Sequence, residues 1–204
     1  MPGWLRNVTE MPWAQQGIPE GSEAPDIEAP FIRKVALGVF LAVVSSVFFL
    51  FFVAYLERME LADWYPLHEP TILWFNTFLL VGASVAMQMA RSTARGAEGS
   101  LQLRLLMAGV LVIAFLGGQW LAWNALRVGG YYATTNPANA FFFLLTALHA
   151  VHLAGGLFVW ARTMMRSRQG GAEVRVRRSI ELCSLYWHYL LLLWLVLFAL
   201  MLNT

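Results

Sequence analysis

Five apolar runs, each long enough to cross a lipid bilayer, constrain this sequence more than any other feature. A span needs about 20 residues at 1.5 Å rise each to cover roughly 30 Å of hydrocarbon. The runs cover residues 35–56, 71–90, 105–126, 140–161 and 180–202. Each run is apolar nearly all round, and strand-like alternation is absent. The sequence therefore predicts an all-α integral membrane bundle of five transmembrane helices.

The composition agrees with a lipid environment. Hydrophobic residues make up 59% of the 204 residues and charged residues only 13%, against roughly 25% charged residues in a soluble domain. The net charge of +2 gives no support for a nucleic-acid partner. A single cysteine, Cys183, excludes an internal disulfide and a CxxC motif, and we interpret it as a buried, inert thiol.

The distribution of basic residues predicts the orientation. The polar segment 1–34 has no apolar core of a signal peptide and is predicted to be an N-terminal arm, which the charge distribution places in the cytoplasm; residues 35–204 form the membrane domain. This arm and the second and fourth loops hold twelve of the fourteen Lys and Arg residues, and the opposite side holds only Arg58 and Arg127. The positive-inside rule then predicts an N-in/C-out protein.

Few ionisable residues lie within the spans. The one acid, Glu181, is at the inner edge of the fifth span beside Arg177 and Arg178, which favours an interfacial ion pair over a proton channel. His149 and His152 are three residues apart on the fourth span, and His188 should lie at a depth similar to that of His152. Two such histidines could ligate a b-type haem, or they could form hydrogen bonds between packed helices.

Three motifs together resemble subunit III of the haem–copper terminal oxidases. The fourth span resembles that family's FF…TG.HG.HV..G pattern and the fifth its E…YWHF.D..W pattern, while the second and third resemble its LNT..LL and glycine–glutamine elements. The matching residues include Asn76, Gln119, His149, His152, Glu181, Tyr186, Trp187 and His188. The resemblance covers roughly residues 35–202 and fits the short, five-helix form of the family.

The resemblance implies an accessory subunit without a redox centre. Such a chain would stabilise the catalytic subunit I, with subunit II in the same complex, and support proton uptake in a bacterial cytoplasmic membrane. Haems and copper would then belong to the partner subunits, and phospholipid could bind. The eight matching residues are expected to have structural, lipid-facing or subunit-interface roles, with no catalytic or metal-ligating role.

The sequence departs from the family pattern where three acids are often found. Ser46, Ala122 and Leu191 occupy these positions, which weakens a role as an intramembrane proton antenna but leaves packing intact. Cytochrome c is the preferred electron donor of the whole complex. The alternatives are a related subunit of a quinol oxidase or nitric oxide reductase complex, and a membrane b-type haem protein.

Overall fold

The computed structural model describes residues 28–66, 71–169 and 173–203 of the chain. These residues contain five helices and no strand: α1 (Glu28–Met59), α2 (Ile72–Thr93), α3 (Leu101–Val128), α4 (Pro137–Arg168) and α5 (Glu173–Leu202). All five are long and apolar enough to cross a membrane. This confirms the predicted all-α fold with five spans. Residues 1–27 of the predicted N-terminal arm lie outside the described residues.

The helices extend beyond the predicted apolar runs. α1 begins at Glu28, α4 continues to Arg168, and α5 begins at Glu173. Hydropathy marks only the part of a helix that lies in hydrocarbon, whereas the backbone can continue its hydrogen bonds into the polar interface. Two helix starts are fixed by capping side chains: Ser100 accepts from the Leu103 amide at 3.4 Å, and Asn136 accepts from the Ala138 amide at 3.1 Å.

Residues 37–204 form one compact unit, preceded by a second unit that ends at Ala36 and is helical from Glu28 onward. Within the larger unit α2 packs against α3 and α5, and α4 packs against the same two helices. α1 meets these helices through large side chains. Phe48 and Tyr55 are 3% exposed, and the Tyr55 ring lies edge-on to Phe141 of α4 at 5.4 Å.

Aromatic rings fill the centre of the four packed helices. Trp194 of α5 is fully buried and meets Phe115 of α3 edge to face, with ring centres 4.9 Å apart. Nearer one end, the Trp160 indole lies against Gly109 and donates to the Leu105 carbonyl at 2.9 Å. A Cβ atom at Gly109 would lie 2.2 Å from that indole, so only glycine admits this approach of α3 and α4.

The outward faces of the helices are apolar. Phe78 is 71% exposed, Phe158 70% and Val151 67%. A continuous apolar exterior of this extent is unfavourable in water and suits contact with lipid tails or a membrane-embedded partner. The chain is therefore a multi-pass membrane protein.

Candidate functional site

Asn76 and Gln119 form a buried amide pair between α2 and α3. Their side chains are 0% and 2% exposed, and Asn76 Nδ2 donates to Gln119 Oε1 at 3.4 Å. Gly118 makes room for this pair, because a Cβ atom there would lie 2.0 Å from Asn76 Oδ1. In the described part of the chain, the remaining amide atoms, Asn76 Oδ1 and Gln119 Nε2, have no hydrogen-bond partner. The two residues therefore fix the register of one close helix pair.

Indole groups make two further links between helices. Trp194 Nε1 on α5 donates to the Thr77 hydroxyl of α2 at 2.9 Å, and Trp123 Nε1 on α3 donates to the Thr146 hydroxyl of α4 at 3.0 Å. Each threonine hydroxyl in turn donates a hydrogen bond to a carbonyl one turn back on its own helix. Each hydroxyl thus donates and accepts, which satisfies it in an apolar interior.

His149 lies in the aromatic centre of the unit. Its side chain is 0% exposed, with its ring centre 5.3 Å from that of Trp194 and 6.0 Å from that of Phe115. Neither of its ring nitrogens has a hydrogen-bond partner among the described residues. The ring serves as a packing element between α3, α4 and α5.

His152 points towards a different neighbour. Its Nδ1 donates to the Leu148 carbonyl at 2.7 Å, and its ring lies edge-on to Phe48 of α1 at 5.6 Å. Positions three residues apart on a helix differ by about 60° around its axis, which is enough to direct two histidines at different helices. Tyr186 of α5 supports this turn of α4, because its hydroxyl donates to the His152 carbonyl at 3.0 Å.

His188 joins α5 to α2 through a polar cluster of Ser84, Gln88, Ser184 and His188. The Ser84 hydroxyl contacts His188 Nδ1, and His188 Nε2 lies 3.2 Å from Gln88 Oε1. Because an amide oxygen only accepts, Nε2 carries the proton and Nδ1 accepts from Ser84. Ser184 completes the cluster at 3.3 Å from Nε2. His188 and His152 therefore make their contacts at different helix interfaces.

Trp187 and Glu181 occupy contrasting environments on α5. Trp187 is 4% exposed, and its indole nitrogen has no partner in the part of the chain that the structure describes. Glu181 is at the end of the span and pairs with Arg95 of the α2–α3 loop, with Nη2 and Oε1 2.7 Å apart. Arg177 is more distant at 3.9 Å. Arg95, rather than the sequence neighbours Arg177 and Arg178, is the main ionic partner.

The eight expected residues do not converge on one centre. They are distributed over several interfaces between helices: Asn76 and Gln119 join α2 to α3, Tyr186 joins α5 to α4, and His188 joins α5 to α2. Within the described ranges, no group of three or more His, Cys, Asp or Glu side chains could hold a metal ion. The arrangement is suited to fixing helix positions, since each link joins residues distant in sequence.

Sequence reasoning overlooked several contributors. Gln88, Ser184 and Arg95 complete the contacts of His188 and Glu181, and the Ser45 hydroxyl lies 2.9 Å from the Tyr189 hydroxyl between α1 and α5. Ser184 lies one helical turn from His188, so the helical i, i+4 neighbour would have been the signal to follow. Gln88 and Arg95 are distant in sequence from the residues they contact, and no local pattern identifies them.

Two of the three positions at which the family resemblance implies acids are packing positions, since Ala122 is fully buried and Leu191 is half-buried against the core. Ser46 is exposed, and its hydroxyl donates to the Ala42 carbonyl of its own helix at 2.9 Å.

Alignments with known proteins cover most of this chain. It is 30% identical to the cytochrome c oxidase subunit 3 of Synechocystis sp. over 178 residues, which are 84% of this chain and 75% of that protein. It is 28% identical over 187 residues to the cytochrome c oxidase subunit 3 of Thermostichus vulcanus, covering 85% and 88% of the two chains. It is also 25% identical over 168 residues to the quinol oxidase subunit 3 of Bacillus subtilis, 81% of each. No protein-family model matches the chain.

Proposed function

This chain belongs to the cytochrome c oxidase subunit 3 family and is an accessory subunit III of an oxidase complex, and from this premise we propose that its complex is a bacterial haem–copper oxidase that receives electrons from cytochrome c. The relatives named as cytochrome c oxidase subunits include the 30% identical protein, whereas the quinol oxidase relative is 25% identical. This difference favours cytochrome c as the donor.

The proposed role of the chain is to hold the catalytic subunit I in place, with subunit II in the same assembly. The contacts of His188 carry this proposal, because one side chain on α5 is linked to Ser84 and Gln88 of α2. A subunit whose polar residues fix its own helices presents a rigid surface to a neighbour. Rigid surfaces lose less conformational entropy on assembly than mobile ones.

We place the chain in the cytoplasmic membrane with its N-terminus inside. The arginine-rich side contains the α2–α3 and α4–α5 loops, and the opposite side has Arg58 and Arg127 as its only Lys or Arg residues. Basic loops stay on the cytoplasmic side during insertion, which supports this orientation.

Haems and copper are assigned to the partner subunits, and the effect on proton uptake is proposed to be indirect. Ser46, Ala122 and Leu191 stand where the family resemblance implies acids, so this chain has no carboxylate at those three positions within the spans. Support of proton uptake would then come from stabilising the proton entrance of subunit I. Bound phospholipid is part of the same proposal, because the exterior of the helices is apolar.

The proposal is tested by purifying the tagged chain in mild detergent and recording an optical spectrum, a metal analysis and oxygen consumption. We expect a larger subunit with haem and copper and oxidase activity with reduced cytochrome c. Activity with quinol alone would identify the donor as quinol, and a 23 kDa band without a haem-bearing partner would overturn the oxidase role. Haem in the isolated chain would instead favour the b-type haem alternative.

A variant tests the stabilising role itself. We expect His188→Ala to lower the amount of chain retained with subunit I several-fold while the initial turnover of intact complexes stays close to normal. Ser179→Ala on the same helix is the control, since among the described residues its hydroxyl bonds only to the Arg175 carbonyl of its own helix. Full retention of His188→Ala with abolished initial activity would contradict a stabilising role.

A further inference from the structure

Gln88 is a polar residue on the outward face of a membrane-spanning helix. Its side chain is exposed, and it lies five residues, or about 7.5 Å, before α2 ends at Thr93. The exposed residues around it are apolar: Val85 on α2 is 54% exposed, and Leu185 and Leu192 on α5 are 52% and 61% exposed. An outward amide is unusual here, because polar side chains within spans almost always face the bundle interior.

The polar cluster of Ser84, Gln88, Ser184 and His188 uses only one end of the Gln88 amide. Gln88 Oε1 lies 3.2 Å from His188 Nε2, which donates to it, and 3.5 Å from the Ser184 hydroxyl. His188 is satisfied on its other side, because Nδ1 accepts from Ser84. Gln88 Nε2 donates to no residue that the structure describes. Two N–H donors of this amide therefore remain available at the α2–α5 face.

Arg91, in the last turn of α2, adds a cation beside these donors. It follows Gln88 by three positions, so both side chains lie on one face of the helix. Its Nε atom is buried and has no hydrogen-bond partner within the described ranges. The charge of Arg91 acts on Glu181, but that carboxylate is hydrogen-bonded to Arg95 and lies 3.9 Å from Arg177. One carboxylate thus serves three arginines, which leaves an excess of positive charge.

We propose that Gln88 and Arg91 form a docking site for a carboxylate on a membrane-spanning segment of the haem-bearing partner subunit. An ionised carboxylate only accepts hydrogen bonds, which complements an amide N–H₂ group and a guanidinium. A partner helix supplies such an acceptor at the depth of Gln88, whereas lipid phosphates lie in the interfacial region outside the hydrocarbon. Left uncovered, the amide would lie in hydrocarbon without an acceptor, which is unfavourable.

This inference rests on the proposed oxidase function, and it assigns the surface and the chemistry through which the partner binds. A photo-cross-linking amino acid at Val85, one turn from Gln88, locates that partner in intact membranes while the polar cluster stays unchanged. We expect a cross-link to the haem-bearing subunit, in a segment with an Asp or Glu within about one helical turn of the attachment point. The control position is Phe158 on α4, 70% exposed, which should give no cross-link to that segment.

Charge reversal tests the chemistry of the contact. Arg91→Glu would place one carboxylate against another, and we expect the amount of chain retained with the partner to fall at least tenfold, relative to the amount in the membrane. Gln88→Leu removes the donors but keeps the face apolar, and should lower retention several-fold. Arg178→Glu is the control, since this exposed arginine of α5 undergoes the same change in charge and forms no ion pair with a described residue.

Two results would overturn the docking site while the oxidase role stands. One is a co-purifying haem-bearing subunit that is not cross-linked from Val85, and the other is full retention of both Arg91→Glu and Gln88→Leu. Cross-linking from Val85 to lipid alone, or to a second copy of this chain, would also contradict the proposed occupant. A cross-linked partner that carries the acid but no haem would support the docking site and count against the oxidase role.

Discussion

Identical side chains have different roles in this protein because their neighbours differ. His149 packs between aromatic rings, His152 bonds to its own helix and faces α1, and His188 links α5 to α2. Interhelical hydrogen bonds in membranes contribute only about 0.6 kcal/mol each on average. No single one of these bonds holds the fold, so close backbone contacts and ring packing must share the stabilisation.

A prediction at this scale concerns the glycine beneath Asn76. Gly118→Ala would place a Cβ atom 2.0 Å from Asn76 Oδ1, and overpacking of this kind costs about 1–3 kcal/mol. We expect a lower midpoint of thermal unfolding in detergent. Gly117→Ala is the control, because a Cβ atom there has nothing within 4 Å. Equal midpoints for the two variants would show that α2 and α3 are not in close contact at this level.

The helices differ in how firmly they are attached to one another. α2, α3, α4 and α5 each pack against two neighbours. α1 has few buried side chains, among them Phe48 and Tyr55, and contacts α5 through the Ser45 and Tyr189 hydroxyls. A helix with few buried contacts is expected to open more easily than the rest of a structure. The Arg95–Glu181 ion pair is also partly exposed, and it joins the α2–α3 loop to the N-terminal part of α5.

The contribution of that ion pair is predicted to be small. The side chain of Glu181 is 23% exposed and that of Arg95 45%, and exposed pairs contribute about 0.2–1 kcal/mol. We expect Glu181→Gln to lower the unfolding midpoint slightly at low salt and to have less effect at high salt, measured by thermal unfolding. Glu98→Gln in the same loop, which has no ion pair in the described structure, serves as the control. A large, salt-independent loss would mean that Glu181 also contacts a buried group of a partner.

At the scale of the whole molecule, the number of crossings and the placement of arginine together predict the orientation. Five spans put the N-terminus and C-terminus on opposite sides, and the basic loops then predict which side is cytoplasmic. Both loops on the less basic side are also connected, because Asn136 Nδ2 donates to the Tyr65 carbonyl at 2.5 Å. One hydrogen bond therefore joins the described parts of these two loops.

The orientation can be measured with a membrane-impermeant maleimide on intact cells. We expect Glu60→Cys in the α1–α2 loop to be labelled and Ala97→Cys in the α2–α3 loop to be protected until the cells are opened. Both positions are exposed, whereas the native Cys183 is buried and should give little background. Labelling of Ala97→Cys alone in intact cells would reverse the proposed topology.

The sequence by itself determined the number and type of the elements, because lipid acts as a uniform apolar solvent and every spanning backbone must be helical within it. It also indicated the family, through motifs on α2, α3, α4 and α5. Only the tertiary structure decided which side chains meet. The pairing of Trp194 with Thr77, of Arg95 with Glu181 and of Gln88 with His188 depends on how each helix is rotated and how closely it approaches its neighbours. The rotation and the spacing of the helices are set by packing over the whole bundle. Small residues such as Gly109 and Gly118 permit a close approach of two helices, but the sequence does not say which side chain faces them.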